Sequence, residues 1–339
     1  MSSALRSPWD SHDFARRLLP GTIKGALGSP KSSRSSGANI WEAQLAKVAQ
    51  MRLVSIIDSV VRNRIHLWPG AVLIIWAFPP WYGSTPSWKA VPSITLAAFG
   101  LYQLNRVFDV VEDEINDPAA YAGISATRTK VRNTATGAIL ASLLLSLVLM
   151  NYLATATLSL VLLLGVLYSV PFWGREQGRP RRLKQIASLK NAIPSVVWPI
   201  TTILYPAISR SDIRLLPFFL TITGLSCIVF TIEVAWDIRD VRGDRVSGIS
   251  TLATAFGVRR ALMVPLVVSG IQALVVVLLI YFGSLSAQWL LPAVLLLLLP
   301  AVAYLWRDSL ATNRDRSHLL VLINVLALVP LYLVGRWEA

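Results

Sequence analysis

Asn105, Asp109 and Asp113 recur every fourth residue, and Asp237, Asp240 and Asp244 follow one another at spacings of three and four. On a helix each set shares one face. Each set also closes a long apolar run, so its carboxylates would stand where hydrocarbon gives way to water. Acids in that position are costly unless they face a polar cavity or a cation. Two facing rows of carboxylates could hold Mg²⁺, which takes few protein carboxylates and readily shares substrate phosphate oxygens, and Mg²⁺ could hold a diphosphate. One row alone would equally suit solvated charges at a helix end. Two rows with matching spacing, on one side of a membrane, favour a site. Glu233 lies one turn deeper than Asp237 on the same face.

A basic segment at 173–190 supplies the complementary charge. Arg175 and Arg179 read as topology-setting charges near lipid headgroups. Arg181, Arg182, Lys184 and Lys190 lie close to the next apolar run and could donate to phosphate oxygens, stabilising the charge that develops on a leaving group. Arg106, inside the first acidic motif, joins these candidates, as do Tyr168 and Asn191 at the same border. Tyr168 equally suits an interfacial aromatic.

The elements that would position these groups are membrane helices. The chain has 339 residues, 54% of them hydrophobic and 15% charged, with a mean hydropathy of +0.57. Soluble domains carry about 25% charged residues. The apolar residues gather in nine runs of about 18–24 residues, a length that spans a bilayer core. They fall near 67–84, 91–110, 134–153, 155–173, 188–206, 214–236, 261–282, 287–306 and 318–335. Prolines interrupt the first and fifth. The expected fold is therefore an all-α integral membrane protein, with nine helices bundled around a cavity that opens to the cytoplasmic side.

The net charge of +14 does not indicate a nucleic-acid partner. With the N-terminus cytoplasmic, 27 of the 32 Lys and Arg residues fall in inside segments and 4 in outside segments. That is the positive-inside bias, and it puts both acidic motifs on the cytoplasmic face. The lone cysteine, Cys227, forms no internal disulfide, and His12, His66 and His318 are too scattered to suggest a zinc site. Residues 1–39, rich in Ser, Gly, Pro and Arg, read as a disordered basic tail. Residues 40–66 read as a basic amphipathic helix at the lipid surface, and 67–335 as the transmembrane domain.

These motifs resemble the UbiA-type intramembrane prenyltransferase superfamily, whose pattern is Asn-x-x-x-Asp-x-x-x-Asp after the second helix and Asp-x-x-x-Asp after the sixth. The first appears as Asn105 to Asp113, followed by Asn116 and Pro118. The second appears as Asp237-Ile238-Arg239-Asp240-Val241-Arg242-Gly243-Asp244-Arg245, followed by Gly248, Thr251, Leu252 and Gly257. Tyr168 to Pro171, running on to Lys184, resembles the family's basic loop. The resemblance implies that Asp109, Asp113, Asp240 and Asp244 coordinate Mg²⁺. It implies that Asn105 helps position the metal–diphosphate, and that Lys184 with nearby arginines binds the diphosphate. The implied reaction is ionisation of an allylic isoprenoid diphosphate, followed by capture at carbon of an aromatic or other small lipophilic acceptor.

Two features depart from the family pattern. Arg106 stands where the family often has Asp, and the stretch Asn116 to Ser125 lacks the family's usual basic residue and Arg-Pro…Ser-Gly sequence, which bears on acceptor recognition. With the Ser/Arg-rich leader, this loop hints at specialised metabolism. A terpene cyclase of the same superfamily, closing farnesyl diphosphate on itself without an acceptor, is the principal alternative. A transporter is the other, although transporters hold their ions near the bilayer midplane on broken helices. No sequence feature assigns an oligomeric state.

Overall fold

A computed structural model describes residues 67–338 except 177, 178, 187, 188 and 313. The chain divides into two units, 1–53 and 54–339, and every described residue belongs to the second. The tail expected at 1–39 and the surface helix expected at 40–66 lie outside the described residues.

The described chain is helical. α1 (Leu67–Ala77) leads into a 3₁₀ turn (Pro79–Tyr82), then α2 (Ala90–Phe108), α3 (Val110–Asn116), α4 (Pro118–Leu149) and α5 (Tyr152–Ser169) follow. A short antiparallel hairpin, β1 (Trp173–Glu176) and β2 (Arg179–Arg181), and a 3₁₀ turn (Leu183–Gln185) precede α6 (Leu189–Pro199). A π-helical turn (Ile200–Leu204) and α7 (Tyr205–Ala207) complete that segment. Then come α8 (Leu215–Val246), α9 (Leu252–Tyr281), α10 (Leu290–Leu305), α11 (Arg307–Leu310) and α12 (Arg314–Glu338).

Among the described residues, six helices are long and apolar enough to cross a membrane by length and composition: 121–149, 152–169, 215–246, 252–281, 287–305 and 319–337. The chain is a multi-pass integral membrane protein. The runs expected at 67–84, 91–110 and 188–206 are helical in part but do not meet the same measure, so six of the nine expected spans stand on that test. The physical reasons are visible. Pro79 and Pro80 turn the first run into a 3₁₀ corner, the second carries a polar end, and Pro194 and Pro199 lead the fifth into a π turn. Among the described residues, the β hairpin in the basic segment is the one addition to the expected all-α fold.

Where α2 meets α4, packing follows membrane rules, with small residues at the seam and large ones turned outward. Along α4, Ala135, Ala138, Ser142 and Ser146 are buried, while Leu140, Leu144, Leu147 and Val148 are exposed. The backbones of α2 and α4 approach so closely that a Cβ on Gly100 would lie 2.9 Å from the Ala135 carbonyl oxygen. Ser142 Oγ crosses the same seam to donate to Ser93 O at 2.8 Å.

Two local features set the site. α2 flattens at Asp109 (φ −87°, ψ 25°), yet Asp109 N donates to Asn105 O and Asp113 N donates to Asp109 O, so the i, i+4 phase carries through into α3. α3 then stops at Asp117 (φ −146°, ψ 71°), which lies outside the helical region that the following Pro118 disfavours for it. α8 runs unbroken for 32 residues, roughly 48 Å at 1.5 Å per residue. That exceeds a bilayer core of roughly 30 Å, so its last turns can carry acids beyond the hydrocarbon.

Leu158 on α5 is fully buried in a cluster with Ile75, Ile94 and Tyr205, whereas Leu160 is exposed. An unfolded helix in lipid still buries its leucines in hydrocarbon, so only the packing term separates the two positions. Leu158→Ala is expected to destabilise by about 2 kcal/mol and Leu160→Ala by much less, read as the shift in midpoint of detergent or denaturant unfolding in bicelles.

Candidate functional site

The two acidic motifs converge. Asn105, Asp109, Asp113, Asp237, Asp240 and Asp244 all line one polar chamber of about 990 Å³, bounded by α2, α3, α5, α6 and α8. Lys184, Lys190 and Tyr168 line it with them. The basic segment passes across the end of the bundle, which brings its cations onto both rows.

On the first row, Asn105 Nδ2 donates to Asp109 Oδ2 at 2.6 Å. Arg182 donates through Nη1 to Asp109 Oδ1 at 2.9 Å and to the Phe108 carbonyl at 2.9 Å, and through Nη2 to Glu112 Oε1 at 2.5 Å. Lys184 Nζ donates to Asp109 Oδ1 in a very short contact and lies 3.2 Å from Glu112 Oε1. On the second row, Lys190 Nζ donates to Asp244 at 2.6 and 2.7 Å and pairs with Asp237 at 2.9 Å. Asn191 Nδ2 donates to Asp237 Oδ2 at 2.6 Å from behind. Lys184, Asp237 and Asp244 are each only 1–2% exposed. Buried charges so placed are tolerable only when paired and hydrogen-bonded.

Not every expected residue reaches the chamber wall. Arg182 and Asn191 stand behind it, gripping the carboxylates that line it. Arg106 is not among the lining residues, and its Nη1 lies 3.5 Å from Gln103 Oε1. Arg181 ends β2 and is also absent from the lining.

Three contributions had no role in the sequence reading. Glu112, off the four-residue repeat, is the shared partner of Arg182 and Lys184. Arg239 grips the neighbouring Asp240 bidentately at 2.7 and 2.5 Å, with its guanidinium 5.9 Å from the Trp236 ring. The available signal was a basic residue inside an acidic motif. Tyr102, Trp198 and Trp236, joined by the Glu233 that the sequence had placed on the Asp237 face, form a neck, lining both the polar chamber and an adjoining apolar chamber of about 960 Å³. Trp198 Nε1 donates to Tyr102 Oη at 2.9 Å across it. Below the neck the walls are mainly Leu, Ile and Val from α1, α8, α10 and α12, with Asn324 a polar exception.

Among the described residues, no three of His, Cys, Asp and Glu gather closely enough to hold a metal as a preformed group. The donor chemistry nonetheless suits a hard cation, because every candidate donor is oxygen. Asn105 Oδ1 and Glu112 Oε2 are buried acceptors with no hydrogen-bond partner among the described residues, a condition that buried polar atoms rarely keep without cause.

The UbiA prenyltransferase family model matches residues 66–327. A UbiA homologue from Archaeoglobus fulgidus, solved bound to DMAPP and Mg²⁺, superposes with a TM-score of 0.60 at 13% identity, covering 82% of this chain and 98% of its own. A homologue from Aeropyrum pernix K1 gives 0.53 at 16% identity, covering 79% and 96%. A digeranylgeranylglyceryl phosphate synthase gives 0.54 at 14% identity, covering 83% and 97%. At these identities the likeness is one of fold. No curated protein sequence matches.

Burial works against the Glu112 charge, but Lys184 and Arg182 outweigh it and hold the carboxyl down from 4.5 to about 2. Burial likewise opposes the Arg182 charge, and Asp109 and Glu112 more than offset it, so its pKa lies above the ordinary arginine value. A depressed carboxyl contributes stability that is fully present above its unfolded pKa and is lost as pH falls through the folded one. The stability difference between wild type and Glu112→Gln is therefore expected to hold at neutral pH and to shrink between pH 4.5 and about 2. Thermal unfolding of both proteins in detergent across that range measures it.

Proposed function

The chain belongs to the UbiA prenyltransferase family, and on that premise we propose that it is a Mg²⁺-dependent membrane enzyme that ionises an allylic isoprenoid diphosphate and transfers the prenyl group to an aromatic or other small lipophilic acceptor. The observation that carries this reading is the joining of two unlike chambers. Both carboxylate rows and two lysines line one, hydrocarbon side chains line the other, and aromatic rings form the neck between them. A substrate with a charged head and an isoprenoid tail has that same division. The Archaeoglobus homologue solved with DMAPP and Mg²⁺ supports the assignment. The positive-inside charge distribution supports a cytoplasmic position for the polar chamber.

Asp109 and Asp113 on one side, and Asp240 and Asp244 on the other, would hold Mg²⁺. A preformed cluster of three carboxylates is not required, since Mg²⁺ keeps several waters and takes substrate phosphates as ligands. When bound, it neutralises the charge that gathers on the departing diphosphate. Lys184 and Lys190 line the chamber and would turn from carboxylate to phosphate oxygens. Arg182 would stay behind the wall, holding Asp109 and Glu112 in place. Asn105 would fix the Asp109 carboxylate through its amide hydrogen bond.

As the allylic C–O bond breaks, its electron pair leaves with the diphosphate. The resulting cation would lie against the faces of Tyr102, Trp198 and Trp236, which attract positive charge. The apolar chamber would keep water from it. A nucleophilic carbon of the acceptor would then form the new bond, and the proton it carried would pass to the released diphosphate, restoring a neutral product. The Ser/Arg-rich leader and the departure at residues 116–125 favour specialised rather than general metabolism.

Asp109→Ala and Asp240→Ala are each expected to lower turnover by more than about 100-fold while leaving membrane insertion intact. The assay is product formation in purified membranes with a panel of prenyl diphosphates, Mg²⁺ and aromatic acceptors. Full activity of either variant at saturating substrate and Mg²⁺ would refute the metal assignment. A cyclic hydrocarbon formed from farnesyl diphosphate without an acceptor would redirect the proposal to a cyclase.

A further inference from the structure

Asn116, the last residue of α3, reaches across to α8 and takes hold of its backbone. Its Nδ2 donates to the Asp240 carbonyl at 3.2 Å, and its Oδ1 accepts from Gly243 N at 3.0 Å. Both backbone groups belong to the single turn that runs from Asp240 to Asp244. Asn116 also stands one turn beyond Asp113 and lines the polar chamber beside it. One amide plane thus bridges the end of the first carboxylate row and the middle of the second.

The approach is tight enough to select the residue beneath it. A Cβ added at Gly243 would meet Asn116 Nδ2 at 2.3 Å and Cγ at 2.7 Å. Gly243 lies inside a regular helix, where glycine is ordinarily unfavourable relative to alanine. Its place there follows from the space that Asn116 occupies.

We infer that Asn116 is a positioning residue: seated on the bare backbone of Gly243, it sets the register and separation of the two carboxylate rows, and so the geometry in which they grip a metal–diphosphate headgroup. This rests on the proposed function of the chamber. The reason for the pairing is directional. A carboxamide offers one donor and one acceptor in a plane. Engaging a carbonyl and an N–H three residues apart on one helix therefore restrains both sliding and rotation of α8 against α3. A misplacement of about 1 Å in such a site can cost about 100-fold in rate. Simple adhesion between α3 and α8 would need no contact with the turn that carries the acids.

The test uses the full chain in nanodiscs and inorganic pyrophosphate with Mg²⁺ as the probe, which removes any dependence on prenyl length or acceptor. Calorimetry gives pyrophosphate affinity across Mg²⁺ concentrations, and thermal unfolding reports the fold separately. Asn116→Ala is expected to weaken Mg²⁺-dependent pyrophosphate binding about tenfold with little change in unfolding temperature. Asn116→Ser serves the same purpose should the alanine variant not yield folded protein. Gly243→Ala is expected to lose binding more severely. The double variant Asn116→Ala/Gly243→Ala is expected to recover to the level of Asn116→Ala alone, because the clashing amide is gone. A purely structural contact would lower the unfolding temperature without moving the Mg²⁺ dependence.

Wild-type binding in Asn116→Ala, with binding lost in Asp109→Ala, would overturn this inference and leave the proposed function standing. A double variant no better than Gly243→Ala would also overturn it. Failure of the wild type to bind pyrophosphate with Mg²⁺ would overturn both together.

Discussion

Charge compensation at the end of a hydrophobic bundle is the constraint on which the rest depends. Glu112, Asp237 and Asp244 are buried and Asp109 is partly so, and each is answered by a cation from the 181–190 segment. A carboxylate left alone there would carry a desolvation cost of several kcal/mol. The bundle therefore cannot close its polar end without that segment. The pairing also keeps the lysines at the chamber wall, where an incoming polyanion can compete with the carboxylates for them. The same interactions that make the fold tolerable thus leave the chamber ready for a charged headgroup.

The apolar half is organised on a different basis. Helices in lipid gain little from hydrophobic burial against one another, so small residues at the seams bring backbones together. Ala135, Ser142 and Gly100 do this between α2 and α4. Larger side chains on α1, α8, α10 and α12 leave a chamber instead of filling it. The aromatic neck marks the change in dielectric between the halves. That is where a bond between a charged group and a hydrocarbon chain would naturally come to lie.

The legibility of the site varied residue by residue. Asp109 and Asp113 could be placed together because the four-residue repeat survives the flattening at Asp109. Lys184 and Lys190 could be proposed because they stand in a basic segment close to the start of the next apolar run. Arg106, an equally plausible cation on sequence grounds, is not among the residues lining the chamber. Glu112 sits one residue off the repeat, and only the arrival of Arg182 and Lys184 from another segment gives it a role. The hairpin at 173–181 was not anticipated, since a short polar loop carries no periodicity to read.

Hydrophobic run length, the positive-inside charge pattern and the spacing of the aspartates determined by themselves that this is a helical membrane protein with two acid-tipped helices. These are one-dimensional properties, set by the rise of a helix and the thickness of a bilayer. Tertiary structure alone decided which spans are complete, which cation answers which acid, and that an asparagine from one helix seats on a glycine of another. Such contacts, as between Lys190 and Asp244 or Asn116 and Gly243, join residues 54 and 127 positions apart, and their energies depend on distances of tenths of an ångström that no local pattern encodes.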